Sequence, residues 1–152
     1  TMFKHILVPV DGSATAMLAL DRAAALAQAF GSSVTAVYVI DPYPFTGVGA
    51  DFAYAQDQYL VAAKGEATAA MDAANQRMQQ AGVPHDNRVV ESHTVWRGVL
   101  EAAESVGADL IVMGSHGRRG LEKLILGSVT QSVLSHTRLN TLVVRSPAED
   151  PS

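Results

Sequence analysis

The sequence predicts an α/β fold built on a parallel sheet, with its strands joined by right-handed helical crossovers. Three observations carry this expectation. Short apolar runs alternate with helical segments from one end of the chain to the other, the signature of a sheet built through helical crossovers. The runs 34–40 (VTAVYVI) and 110–113 (LIVM) are apolar throughout instead of alternating, as strands buried on both faces are. Glycines stand where helices should stop, at Gly31, Gly82 and Gly107.

The elements follow in order. The run 6–10 (ILVPV) is β-branched and ends at Asp11-Gly12-Ser13, a turn in which Ser13 is placed to cap a helix. Residues 14–30 repeat their apolar positions with helical spacing. After the second strand, 41–54 (DPYPFTGVGADFAY) holds two Pro, two Gly and four aromatics and reads as a loop. Residues 55–81, rich in Ala and Gln, read as one long helix closed by Gly82-Val83-Pro84. A short third strand is expected at 88–90, a third helix at 95–106 and the fourth strand at 110–113. A loop with a possible helical turn follows at 115–126. A fourth helix at 128–136 and a last strand at 141–144 complete the pattern. We expect one domain over 1–146 and a polar tail over 147–152.

Composition narrows the function. The chain has 152 residues, of which 48% are hydrophobic and 17% charged, ordinary for a folded core. Eleven Lys and Arg against fifteen Asp and Glu leave a net charge of −4, which disfavours nucleic acid and membrane surfaces as partners. Cysteine is absent, which removes thiol chemistry and thiolate metal ligands. No apolar run approaches the ~20 residues that span a bilayer. No secretion signal is recognisable, so the expected location is cytoplasmic.

The most informative stretch follows the fourth strand: Gly114-Ser115-His116-Gly117-Arg118-Arg119-Gly120, then LEKLIL, then Gly127-Ser128-Val129-Thr130. Glycines let backbone N–H groups approach a ligand closely. Ser128 is placed to cap the following helix, and the N–H groups of Val129 and Thr130 would then face an anion. Arg118, Arg119 and Lys123 form a local basic cluster in an otherwise acidic chain. In open α/β sheets ligands bind beyond the carboxyl ends of the strands, which directs attention to Asp11 as well. Asp11 also suits an Asx turn.

Gly114-x2-Gly117-x9-Gly127-Ser128 matches the nucleotide signature of the universal stress protein family. The stretches KHILVPVDGS, VTAVYVID and GADLIVMGSHGRRGLEKLILGSVTQSVL resemble that family along nearly the whole chain. The resemblance implies an open five-stranded parallel sheet of order 3-2-1-4-5 with helices on both faces, an adenine-nucleotide alpha-hydrolase-like fold, and a homodimer joined through the last strand. In the branch that carries this motif it also implies bound ATP, accompanied by Mg²⁺ or Mn²⁺. Carried over by position, Pro9, Val10, Asp11 and Val39 would hold adenine and ribose, with Met113 and Gly114 flanking the nucleoside. Gly117, Gly127, Ser128, Val129 and Thr130 would hold the phosphates, with Arg118 as a charge partner. Two stretches depart from the family pattern. His93-Thr94-Val95-Trp96 replaces a Gly-x-Pro-like segment, and Asn140-Thr141 replaces a frequent Pro.

Other signatures are missing. There is no P-loop, no G-x-G-x-x-G in the first βα turn and no G-x-S-x-G elbow. The five His show no metal-ligand spacing. The expected function is therefore that of an ATP-binding stress-response protein in which the nucleotide acts as a conformational signal, with no assigned catalytic residue and no protein metal ligand. A slow ATPase or phosphoryl-transfer enzyme and a nucleotide-independent interaction module are the competing readings. His116 is either a phosphate helper or a plain loop residue. The rings of 41–59 either form a lid or pack on the domain or across the dimer, and packing is favoured.

Overall fold

Helical caps set most element boundaries in the computed structural model, which describes residues 2–42, 49–116 and 126–146. Strand β1 (His5–Pro9) leads into the Asp11–Ser13 turn and helix α1 (Ala14–Phe30). Ser13 caps α1 by accepting from the Ala16 N–H at 3.1 Å. Gly31, at φ 71°, closes it in a left-handed conformation that a side chain would strain. Strand β2 (Ser33–Ile40), helix α2 (Ala50–Ala81), strand β3 (His85–Glu91) and helix α3 (Val95–Val106) follow. Strand β4 (Leu110–Gly114), helix α4 (Ser128–His136) and strand β5 (Asn140–Val144) complete the order.

The five strands form one parallel sheet of order β3-β2-β1-β4-β5. Successive side chains of β1 point to opposite faces. Ile6 and Val8 join the core under α1 and α2, while Leu7 joins the core under α3 and α4. Helix α1 lies close to the sheet because its buried stripe is mostly alanine: Ala16, Ala19, Ala23 and Ala27. The second core layer holds Val37, Val99, Ile111 and Val133, each 1% exposed or less. No described helix is long and apolar enough to cross a membrane.

Two expectations need correction. Helix α2 begins at Ala50, inside the segment expected as a loop, so Phe52 and Tyr54 belong to its first turns. Past Gly49, which holds the N-cap position, nothing in ADFAY opposes helix, and Asp51 favours a first turn. Strand β3 runs over seven residues, not three, because its partner β2 supplies a backbone ladder that polar HDN satisfies as well as VV does. Of the rings in this region, Tyr54 is 69% exposed and does not pack on the domain, whereas Phe52 and Tyr59 are half-buried. Tyr43, Phe45, the expected turn within 115–126 and the tail 147–152 fall wholly or largely outside the described residues.

Candidate functional site

The cleft is built where β1 and β4 part at their carboxyl ends, the point at which the strand order reverses. Strand β1 ends with Pro9 opposite Val37, and the Val10 N–H makes a last bond to the Val37 carbonyl at 2.8 Å. Beyond that bond β2 continues to Ile40, paired only with β3. Alternate residues of a strand turn their backbone groups to the same neighbour, so Val39, like Val37, presents its N–H and C=O on the β1 side. There β1 has already left the sheet.

The turn after β1 is held by Asp11, whose Oδ1 accepts from the Ser13 N–H at 2.9 Å. This is the Asx turn anticipated for it, and the half-buried residue also lines the cleft. Gly12, at φ 83°, supplies the positive dihedral that lets the chain reverse here.

On the other side, β4 ends at Gly114. A Cβ on Gly114 would lie 2.7 Å from Thr15 Cγ2, so glycine is what lets the start of α1 close on this strand end. Ser115 N–H donates to the Val144 carbonyl at 2.8 Å, and the Ser115 carbonyl accepts from Gly127 N–H at 2.7 Å. The start of α4 is thereby clamped to the end of β4. Gly127 packs so closely that a Cβ on it would sit 3.1 Å from His116 Cα.

Ser128 does not cap α4. Gly127 holds the N-cap position, with its carbonyl accepting from Gln131 N–H at 3.0 Å, and Ser128 is the exposed first helical residue. A glycine cap brings no side-chain acceptor, so among the described residues no cap side chain meets the first-turn N–H groups of Ser128, Val129 and Thr130. Thr130 is 2% exposed and its hydroxyl donates to the Gly114 carbonyl at 2.8 Å. Its side chain therefore braces the site, and only its backbone is available to a ligand.

These elements enclose a cleft of about 520 Å³, within the range of small-molecule sites. Pro9, Val10, Asp11, Val39, Met113, Gly114, Gly127, Ser128, Val129 and Thr130 all line it. Gly117 and Arg118, the other two residues named from sequence, lie outside the described residues. The lining also includes Tyr38, Val95, Val99, His116 and Leu126. Of these, Val95 and Val99 were missed from sequence: they stand four apart on one face at the start of α3, but that spacing does not say which face turns to the cleft. His116 was named from sequence without an assigned role. Here its ring lies between two buried hydroxyls, with Nδ1 3.2 Å from Ser115 Oγ and Nε2 3.1 Å from Thr15 Oγ1.

A smaller cavity of about 170 Å³ lies beside the first and is lined by Tyr59, Asp41 and Glu66 among others. Burial pushes the Tyr59 phenol above its ordinary value, and the carboxylates of Asp41 and Glu66 add to the effect. Among the described residues, no group of three His, Asp or Glu side chains is arranged to hold a metal ion.

Comparison with known proteins agrees with this architecture. Residues 2–145 match the model of the universal stress protein family. Universal stress protein MJ0531 of Methanocaldococcus jannaschii is 33% identical over 149 residues, which cover 98% of this chain and 86% of that protein. Among solved structures, the hypothetical protein MJ0577 superposes with a TM-score of 0.82 at 28% identity, covering 98% of this chain and all of that one. A universal stress protein in complex with cAMP superposes with a TM-score of 0.72 at 26% identity, covering 97% of this chain and 100% of that one.

Proposed function

The chain belongs to the universal stress protein family, and from that premise we propose that it binds ATP in the cleft and uses occupancy as a conformational signal. One observation carries this reading. Ten residues picked from separated parts of the sequence line a single cleft, whose phosphate end is a helix N-terminus with glycine at its cap and no side-chain cap bond. The N–H groups of Ser128 to Thr130 and the positive end of the α4 dipole suit phosphate oxygens. The apolar walls formed by Val10, Val39 and Met113 suit a base, and the backbone N–H and C=O of Val39 suit its polar edge. The related protein solved with cAMP lends support to an adenine nucleotide as the ligand class.

Gly117 and Arg118 belong to the same proposal, as a further phosphate contact and its charge partner. The donor set decides what a divalent cation can rest on. Asp11 is the one carboxylate among the described lining residues, so Mg²⁺ or Mn²⁺ would be carried by the phosphates and water, not by a protein cage. The reading extends to a cytoplasmic homodimer joined through β5. That strand is one of the two outer strands of the sheet, and Leu142 on it is 41% exposed. Sedimentation tests the dimer, and Leu142→Glu should shift it to monomer.

Calorimetry with nucleotide-stripped, Mg²⁺-supplemented protein tests the central claim. Micromolar ATP binding that is lost in Gly127→Val supports it. A wild type that binds no ATP overturns it and transfers the weight to an interaction module. ADP release above background, lost in Asp11→Ala, would instead favour a slow ATPase.

A further inference from the structure

We propose that His116 is the phosphate-selecting residue of the cleft, and that its protonation makes nucleotide affinity depend on pH. The inference rests on the nucleotide reading above and deepens it.

Four observations converge. Among the described residues lining the cleft, His116 is the one that can carry a positive charge. Its Cα lies directly under Gly127, the N-cap of α4, so the ring and the positive helix end share one end of the cleft. The ring is fixed, because Thr15 Oγ1 and Ser115 Oγ hold its two nitrogens, and both hydroxyl residues are at most 6% exposed. A hydroxyl either donates or accepts, so both partners can serve the neutral and the charged ring. Charging the ring therefore does not require this arrangement to be broken.

With both nitrogens engaged, His116 acts on a phosphate through its charge and by fixing the turn under Gly127. Among the described residues, the lining of the cleft holds one other charged group. Asp11, from the β1–α1 turn, lines the same cleft and opposes an anion. Arg145, following β5, is exposed to solvent and screened. Helices α1 and α3 bring only Ala16, Val95 and Val99 to the lining, and α4 brings its dipole. Histidine is the side chain that ordinarily changes charge between pH 5 and 8. A bound phosphate chain favours the charged ring, so binding should draw in protons.

Calorimetry in buffers of different ionisation enthalpy measures that uptake. For the wild type we expect ATP to bind with net proton uptake near neutral pH, and about three- to tenfold more tightly at pH 5.5 than at pH 8. Adenosine, lacking phosphates, should show neither effect. In His116→Asn both the uptake and most of the pH dependence should disappear, with adenosine affinity kept within about twofold. ATP binding in the wild type without extra proton uptake, or with a pH profile that His116→Asn leaves unchanged, overturns the proposal while the nucleotide reading stands. No ATP binding at any pH overturns both. Should His116→Asn not fold, His116→Gln takes its place, and in every titration the protonation of ATP's own terminal phosphate is subtracted.

Discussion

A Cβ on Gly98, at the end of the first turn of α3, would lie 2.9 Å from Val39 Cγ1 and 2.9 Å from Ser92 Cβ. The helix thus rests on the end of β2 at a distance that only glycine permits, and Val39 is at once its support and a wall of the cleft. Replacing a helical Gly with Ala would by itself stabilise the helix, by up to about 1 kcal/mol. Overpacking at two contacts costs about 1–3 kcal/mol, so the overlap should win. Gly98→Ala is expected to lower stability in chemical denaturation and to weaken nucleotide binding. Val39→Ala removes one of the two overlaps, so the double variant should recover part of the stability. A Gly98→Ala protein more stable than wild type would mean that α3 stands further from β2.

Thr130 and Gly127 neighbour each other in the same motif but should fail in different ways. The Thr130 hydroxyl is spent on the buried Gly114 carbonyl. Thr130→Val leaves that carbonyl without its partner, which costs about 1–3 kcal/mol of stability. The backbone N–H groups at the start of α4 are untouched, so the folded protein should keep its ATP affinity within about threefold. Gly127→Val should do the reverse at the site, because its side chain would meet His116 at the phosphate end. Denaturation curves and calorimetry on both variants separate the two roles. A Thr130→Val protein of normal stability and lost binding would reassign the hydroxyl to the ligand.

The reasons some features were legible lie in particular residues. Helices α1, α3 and α4 begin and end where expected because their bounds are written in local chemistry, such as Ser13 at one end of α1 and Gly31 at the other. Strands β1, β2 and β5 each start one residue earlier than their apolar runs, at His5, Ser33 and Asn140. A backbone ladder accepts polar residues that hydropathy passes over. The same blindness shortened β3. The N-cap of α4 was misplaced because Ser128 looks like a cap, while the carbonyl geometry gives that position to Gly127. The strand ends of the cleft were readable from the sheet rule alone. The wall supplied by Val95 and Val99 was not, because which face α3 turns inward depends on the close seat of Gly98 on Val39.

Tyr59 should leave a trace in alkaline stability. Burial, then the charges of Asp41 and Glu66, raise its folded-state pKa above the ordinary value of 10.0. A group of this kind is held protonated in the folded state, so its stabilising contribution is complete below pH 10.0. As the pH rises above that, the unfolded chain ionises first and stability falls until the folded phenol ionises too. Tyr59→Phe should remove this alkaline component and flatten the melting temperature above pH 10.0. Identical profiles for variant and wild type would show that the phenol is solvated in solution.

The α3–α4 contact is testable through the sole tryptophan of the chain. Trp96 stacks on His136 with ring centroids 3.9 Å apart and planes 16° from parallel. The His136 ring is oriented from its own helix, since Nδ1 lies 2.7 Å from the Ser132 carbonyl. Arg97 also lies over the indole, but its guanidinium carbon is 5.2 Å from the centroid and the side chain belongs to an exposed residue. Stacked ring pairs contribute about 1 kcal/mol beyond their buried area. His136→Ala should therefore lower stability by about 1 kcal/mol, and shift Trp96 emission to the red as water reaches the uncovered face. Arg97→Ala should change emission far less, because the more distant and exposed cation covers less of the ring. Emission that responds to Arg97→Ala but not to His136→Ala would mean that the indole packs against the arginine instead, and that α4 joins α3 through Val133 without the ring pair.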